Sequence, residues 1–207
     1  MTDMRGVVVP VPATLARVAT IDDGFVEGVM TRLGVVRTLV AVASDSLNRT
    51  WSYSYPVSGG RSFAVTDGMS TMRALHPWMA ELPCASCGGS DAISYETIAA
   101  ARPEVVILRV GDCTIGASPE VVARTVDVLG AMGIPVVVLR SPTDYRGQGL
   151  ESLRAEIDVL GRLFGREREA TALAAELTEA EEMVRARMQD VPDAARPRVL
   201  YLGLASG

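Results

Sequence analysis

The chain has 207 residues, of which 48% are hydrophobic and 22% charged, with a formal charge of −5. Such a composition suits a packed core and gives no support to a nucleic-acid footprint, which needs clustered Lys and Arg. No apolar run reaches the roughly 18 residues of a membrane span, and the opening Met1-Thr2-Asp3-Met4-Arg5 lacks the apolar core of a signal peptide.

Val7 to Pro12 is β-branched but carries Pro10 and Pro12, so it reads as a short edge strand or extended arm. Arg17 to Ile21 is a strand. Asp22-Asp23-Gly24 supplies turn and cap chemistry, with Asp23 as the expected helix cap. Phe25 to Leu33 has helical spacing and Gly34 as its stop. Leu39 to Val42 is a short buried strand. Residues 43–60, rich in Ser, Asn and Tyr, read as irregular. Met69 to Leu82 contains a helical stretch, and Ser94 to Ala101 forms a short helix stopped by Pro103. Glu104 to Val110 is a buried strand, Pro119 to Met132 a helix ended by Gly133, and Ile134 to Leu139 the next strand.

Strands alternating with helices specify an α/β fold with a mostly parallel sheet and flanking helices. Ligands in such sheets sit beyond the carboxyl ends of the strands. Here those ends are residues 22–25, 43–55, 110–118 and 140–148.

The last third changes character. Leu150, Leu153, Ile157, Leu160 and Phe164 give an amphipathic helix, and Gly165 ends it. A second helix follows from Arg166 to Gln189, about 36 Å long at 1.5 Å per residue. Asp190 to Pro197 breaks it, and Arg198 to Gly203 opens a new strand. The spacing therefore divides the chain into an α/β unit at 1–148, a helical segment at 149–189 and, at 190–207, the opening of a second α/β unit.

Several segments resemble the class III periplasmic solute-binding proteins of ABC importers. They are Thr2 to Gly6, Val9 to Pro12 and Arg17-Val18; Leu33-Gly34 with Leu39 to Val42; Tyr95 to Ile107; Leu129-Gly130 through Val137; and Leu160-Gly161 through Glu167, then Ala170. The pieces are ordered and cover nearly the whole chain. The resemblance implies two α/β lobes bridged by a long helix, with an iron chelate, haem or corrinoid clamped between them and delivered to a permease. It makes 1–148 an N-terminal lobe, 149–189 a helical connector and 190–207 the start of a missing C-terminal lobe. It implies a periplasmic or cell-surface location, with a signal or anchor outside this sequence. No cofactor is required, although the ligand itself carries iron or cobalt. The implied partners are ABC permease subunits, with Glu96 at the motif position that pairs with permease arginines. Membrane association would come only through the permease or a missing anchor.

The residues supply further candidates. Asn48-Arg49-Thr50-Trp51-Ser52-Tyr53-Ser54-Tyr55 concentrates aromatics in a polar stretch after a strand. It is either an ordinary loop or a cleft wall, where rings pack on a porphyrin, corrin or catecholate and Arg49 pairs with an anionic group. A Tyr phenolate there could ligate ferric iron. Tyr145 and Arg146 are equally plausible as cleft or turn residues. Cys84-Ala85-Ser86-Cys87 has the spacing of a metal chelate, a redox pair or a local disulfide, with a pair of free thiols as the plainer reading. Cys113 and the single histidine, His76, are the other potential ligands, so a metal-binding or redox protein is the alternative function. Trp78 reads as core. No nucleophile elbow, P-loop or dinucleotide fingerprint occurs, and the chain is read as non-enzymatic.

Overall fold

The computed structural model describes residues 1–87, 92–111, 118–142, 150–196 and 198. The first strand, β1, spans Val18–Ile21 and leads into helix α1, Phe25–Arg32. Strand β2 spans Leu39–Ala41, and the four-residue helix α2 spans Asp45–Asn48. Strands β3 (Trp51–Val57) and β4 (Arg61–Gly68) form an antiparallel hairpin. Helix α3 (Thr71–Leu75) and a 3₁₀ turn at Pro77–Glu81 follow. Then come α4 (Tyr95–Ala100), β5 (Val105–Val110), α5 (Pro119–Ala131), β6 (Val136–Arg140), α6 (Glu151–Phe164) and α7 (Glu167–Met188).

Strands β2, β1, β5 and β6 make a four-stranded sheet in that order, and every pairing is parallel. The chain runs from β1 outward to β2, then returns to the other side of β1 for β5. The order therefore reverses between β1 and β5, which is where such sheets open a crevice at their carboxyl end.

Both sheet faces are covered, so the strands read as near-continuous apolar runs. Val18, Val105, Ile107, Val137 and Leu139 pack toward Val26 and Met30 of α1 and Ile157 and Leu160 of α6. Ala19, Ile21, Val106, Leu108 and Val138 pack toward Ile98 of α4 and Leu129 of α5. Truncating a wholly buried member such as Ile107 to Ala would cost about 2–5 kcal/mol.

The structure corrects the sequence reading in two places and resolves it more finely in two others. Of the two readings of Val7 to Pro12, edge strand or extended arm, the structure takes the arm; the segment before it clips the β6 edge, with Met4 N donating to Val138 O and Val138 N to Asp3 Oδ2. Its only ladder contact is an antiparallel bridge between Thr2 and Val8, consistent with prolines that cannot donate. Residues 43–60 hold α2 and most of a hairpin rather than irregular chain. Pro77 splits the stretch from Met69 to Leu82 into α3 and the 3₁₀ turn, because the residue before a proline is pushed out of the helical region. Finally, the α1 entry is held by Asp22 and not by Asp23, since Asp22 Oδ2 accepts from Gly24 N at 3.2 Å and Val26 N at 2.6 Å. The strand expected at Arg198 to Gly203 lies outside the described residues apart from Arg198. No described helix is long and apolar enough to cross a membrane.

Candidate functional site

The rim begins at the carboxyl end of β2. Ser44 starts α2 by accepting from Ser46 N at 3.3 Å, and its hydroxyl donates to Asp23 Oδ1 at 2.9 Å. Ser46 Oγ donates to the same oxygen at 2.8 Å. The loop after β1 is thus tied to the loop after β2 through one carboxylate, which is why Asp23 is not available as the α1 cap.

The hairpin leaves this rim three residues beyond α2. Alternation along β3 puts Trp51, Tyr53, Tyr55 and Val57 on one face and Ser52, Ser54 and Pro56 on the other. The register places Phe63 opposite Tyr55 and Val65 opposite Tyr53, so β4 extends the same apolar face. The Tyr53 and Tyr55 rings lie 6.0 Å apart and 12° from parallel, and Tyr55 and Phe63 lie 5.3 Å apart. Despite this packing, Trp51 is 38% exposed, Tyr53 50%, Tyr55 47% and Phe63 48%. Tyr53, Tyr55 and Phe63 thus pack as a row, with the Tyr55 and Phe63 planes tilted by 37°, and with Trp51 they make one exposed aromatic platform. Gly68 makes room for its first member: a Cβ there would sit 2.5 Å from Trp51 Nε1.

The sequence candidates fall as follows. Trp51, Tyr53 and Tyr55 share the platform face. Asn48 is half-buried at the end of α2, donating Nδ2 to Leu82 O at 3.4 Å. Arg49 is exposed, with Nε 3.4 Å from Asp45 Oδ1. Glu96 is exposed in the first turn of α4, on an element apart from the platform. Tyr145, Arg146 and Cys113 lie outside the described residues. Trp78 is half-buried against the core with Arg37 Cζ 4.6 Å from its ring centroid.

Cys84 and Cys87 are joined as a disulfide with a Cα–Cα distance of 5.5 Å. A parallel bridge from Val42 to Cys84 sets the pair beside α2, where Asp45 comes within reach of both sulfurs. His76 does not join them. Its Nε2 is 2.9 Å from Thr31 Oγ1, and its ring lies 6.0 Å from that of Trp78. His76 is therefore no ligand beside the two cysteines, Cys113 lies outside the described residues, and among the described residues the third potential ligand is Asp45.

A second group of polar residues escaped the sequence reading. Arg109 of β5 donates to both oxygens of Glu156 in α6, with Nη1 3.7 Å from Asp22 Oδ1. Its guanidinium carbon sits 4.2 Å from the Phe25 ring centroid. Glu27 is fully buried beside Asp22 and Thr20. Burial, reinforced by the Asp22 charge, pushes its pKa up to about 8. Burial also raises Glu156, against the pull of Arg109. The legible signal was a charge on an apolar face: Arg109 follows the Val105 and Ile107 alternation, and Glu156 sits between Leu153 and Leu160. These groups tie β1, β5, α1 and α6 together under the crevice and present no open surface.

With this geometry in place, the chain can be compared with known proteins. The sequence profile of a family described as periplasmic binding protein matches residues 28–207. The chain belongs to the periplasmic binding protein family. No curated protein matches it. Among solved structures, a periplasmic solute-binding protein from Veillonella parvula matches with a TM-score of 0.65 at 18% identity, over 93% of this chain and 49% of that one. The molybdate periplasmic binding protein MolA of Haemophilus influenzae matches with a TM-score of 0.64 at 15% identity, over 95% of this chain and 55% of that one. The periplasmic haem-binding protein RhuT from Roseiflexus matches with a TM-score of 0.55 at 17% identity, over 86% of this chain and 52% of that one. At these identities the likeness is one of fold. The chain spans about half the length of the solved proteins it matches. Its four-stranded parallel sheet, flanking helices and long α7 fit a lobe of such a binding protein.

Proposed function

We propose that this chain supplies the N-terminal lobe and backbone helix of an extracytoplasmic solute-binding protein of an ABC importer, and that its hairpin walls a cleft for a flat, metal-bearing ligand. The observation that carries the reading is the exposed platform of Trp51, Tyr53, Tyr55 and Phe63, rooted at the carboxyl rim of the sheet. A stack of ring faces suits a planar conjugated ligand such as a haem, a corrinoid or a catecholate chelate of iron. Exposed Arg49 at the foot of the hairpin suits an anionic substituent, such as a tetrapyrrole propionate. Two fold neighbours bind different ligands, molybdate in MolA and haem in RhuT, so the fold leaves ligand choice to such local features.

In this reading the second lobe closes over the platform, and Glu96 meets a permease arginine when the loaded protein docks. Its exposure on α4, away from the platform, suits such a contact. The role is binding and delivery rather than catalysis. Tyr145 and Arg146 are proposed to complete the cleft from the loop after β6. The test is tryptophan emission of the protein with both lobes, titrated with haem, a cobalamin and a ferric siderophore. One of these should quench Trp51 saturably, and in Trp51→Phe only the weaker quench of the more distant Trp78 should remain. Unchanged emission with all three would remove this ligand class.

A further inference from the structure

The Cys84, Cys87 and Asp45 group plays no part in the cleft reading, and it has the makings of a metal site. Two features of the fold assemble it. The bridge from Val42 to Cys84 lays the cysteine segment along the carboxyl end of β2, with Val42 N donating to Pro83 O and Ala85 N to Val42 O. The Ser44 cap then starts α2 with Asp45 as its first residue. One carboxylate oxygen and both sulfurs come to lie within 4.8 Å of one another. Tetrahedral zinc, with bonds of about 2.3 Å to sulfur and about 2.0 Å to oxygen, needs ligands some 3.3–3.8 Å apart, which this cluster can reach.

The surroundings favour metal over an inert staple. Asp45 Oδ1 is shielded from solvent and makes no hydrogen bond, with only Arg49 Nε nearby at 3.4 Å. Asn48 Oδ1 lies 3.3 Å from Cys87 Sγ, where it would accept from a thiol but gains nothing from a disulfide sulfur. The environment thus provides for the reduced pair as well as the oxidised one. Two thiolates and a carboxylate carry three negative charges. A divalent cation leaves one, which Arg49 offsets. Sulfur ligands select zinc-class ions over calcium or magnesium, which take oxygen shells.

We propose that Cys84, Cys87 and Asp45 form a redox-gated site for a zinc-class divalent cation, closed as the disulfide and open as the dithiol, with a fourth coordination position left to water or an exogenous ligand. Opening takes two electrons and two protons from a dithiol reductant, which is oxidised to its own disulfide as the sulfur–sulfur bond breaks. Metal entry then releases the two thiol protons. This site shares Arg49 with the proposed cleft but needs no cleft ligand to form.

The test titrates cobalt(II), as a spectroscopic stand-in for zinc, into the chain carrying Cys113→Ser, so that the pair supplies the only thiols. After reduction and removal of the reductant, one equivalent should bind with a thiolate-to-cobalt charge-transfer band that zinc abolishes. The same protein reoxidised to the disulfide should bind none. Asp45→Ala should weaken binding at least tenfold. Because oxidised and reduced protein are one molecule, a folding defect cannot mimic this difference. No cobalt band in the reduced protein, or an Asp45→Ala titration that overlays its parent, would overturn the proposal.

Discussion

Arg109 Nε donates to Glu156 Oε1 at 2.7 Å, and its Nη2 donates to Oε2 at 3.1 Å, pinning β5 to α6 by a two-pronged bond. The Glu156 carboxyl is inaccessible to solvent and the Arg109 guanidinium nearly so, with side-chain exposures of 0% and 15%. Removing one partner strands the other charge. Glu156→Ala should therefore cost about 3–5 kcal/mol, the range for breaking a buried pair. Glu156→Gln, which preserves shape and one acceptor, should cost less. Urea denaturation at neutral pH measures both, and a midpoint unchanged in Glu156→Ala would refute the structural role.

Glu27 makes stability depend on pH with a definite sign. Its pKa in the folded chain is pushed up from 4.5 to about 8, so folding takes up a proton in that window. Stability is then greatest below it and falls as pH rises toward 8, by at most about 1.4 kcal/mol per unit for one proton. Glu27→Gln removes that dependence. Variant and wild type should differ least near pH 4.5, and the variant should be the more stable at pH 8. The raised pKa of Glu156 leaves some residual slope in both. Chemical denaturation across this range checks the divergence, and parallel curves would contradict it.

Gly161 lets α6 and α7 meet at their turn. A Cβ built there would come within 2.5 Å of Ala170 Cβ. Alanine is ordinarily better than glycine inside a helix by about 1 kcal/mol. Here the clash should reverse the sign, and Gly161→Ala should lower stability by about 1–3 kcal/mol, as overpacking does. A thermal melt showing stabilisation would mean that the helices separate freely.

That contact also explains what the sequence disclosed. Leu160-Gly161 and Ala170 were legible as a family-like pattern, and the structure supplies the reason, a close approach of two helices. The central strands were readable because both faces of the sheet are covered, which leaves long apolar runs such as Val105 to Leu108. The hairpin was missed because its serines suggested a loop, although Trp51, Tyr53, Tyr55 and Val57 already alternated with period two. Asp45 could not be placed beside Cys84 from spacing, since a parallel bridge between segments some forty residues apart creates that meeting. The buried Glu27 needed tertiary context too, because a helical glutamate ordinarily reads as solvated.

The platform residues should matter little to folding. Every residue of β3 is exposed, so Tyr53→Ser with Tyr55→Ser should shift stability by no more than about 1 kcal/mol. Circular dichroism melts of the double variant check this. A large loss would assign the rings to structure rather than to a cleft.

The same double variant supports the most direct measurement of the central claim. Isothermal titration of the protein with both lobes, against haem, a cobalamin and a ferric siderophore, should find one that binds saturably with one equivalent. Losing two aromatic contacts of about 0.5–1.5 kcal/mol each should weaken that binding roughly tenfold. Saturable binding of none of the three, or equal affinity in wild type and variant, would contradict the account.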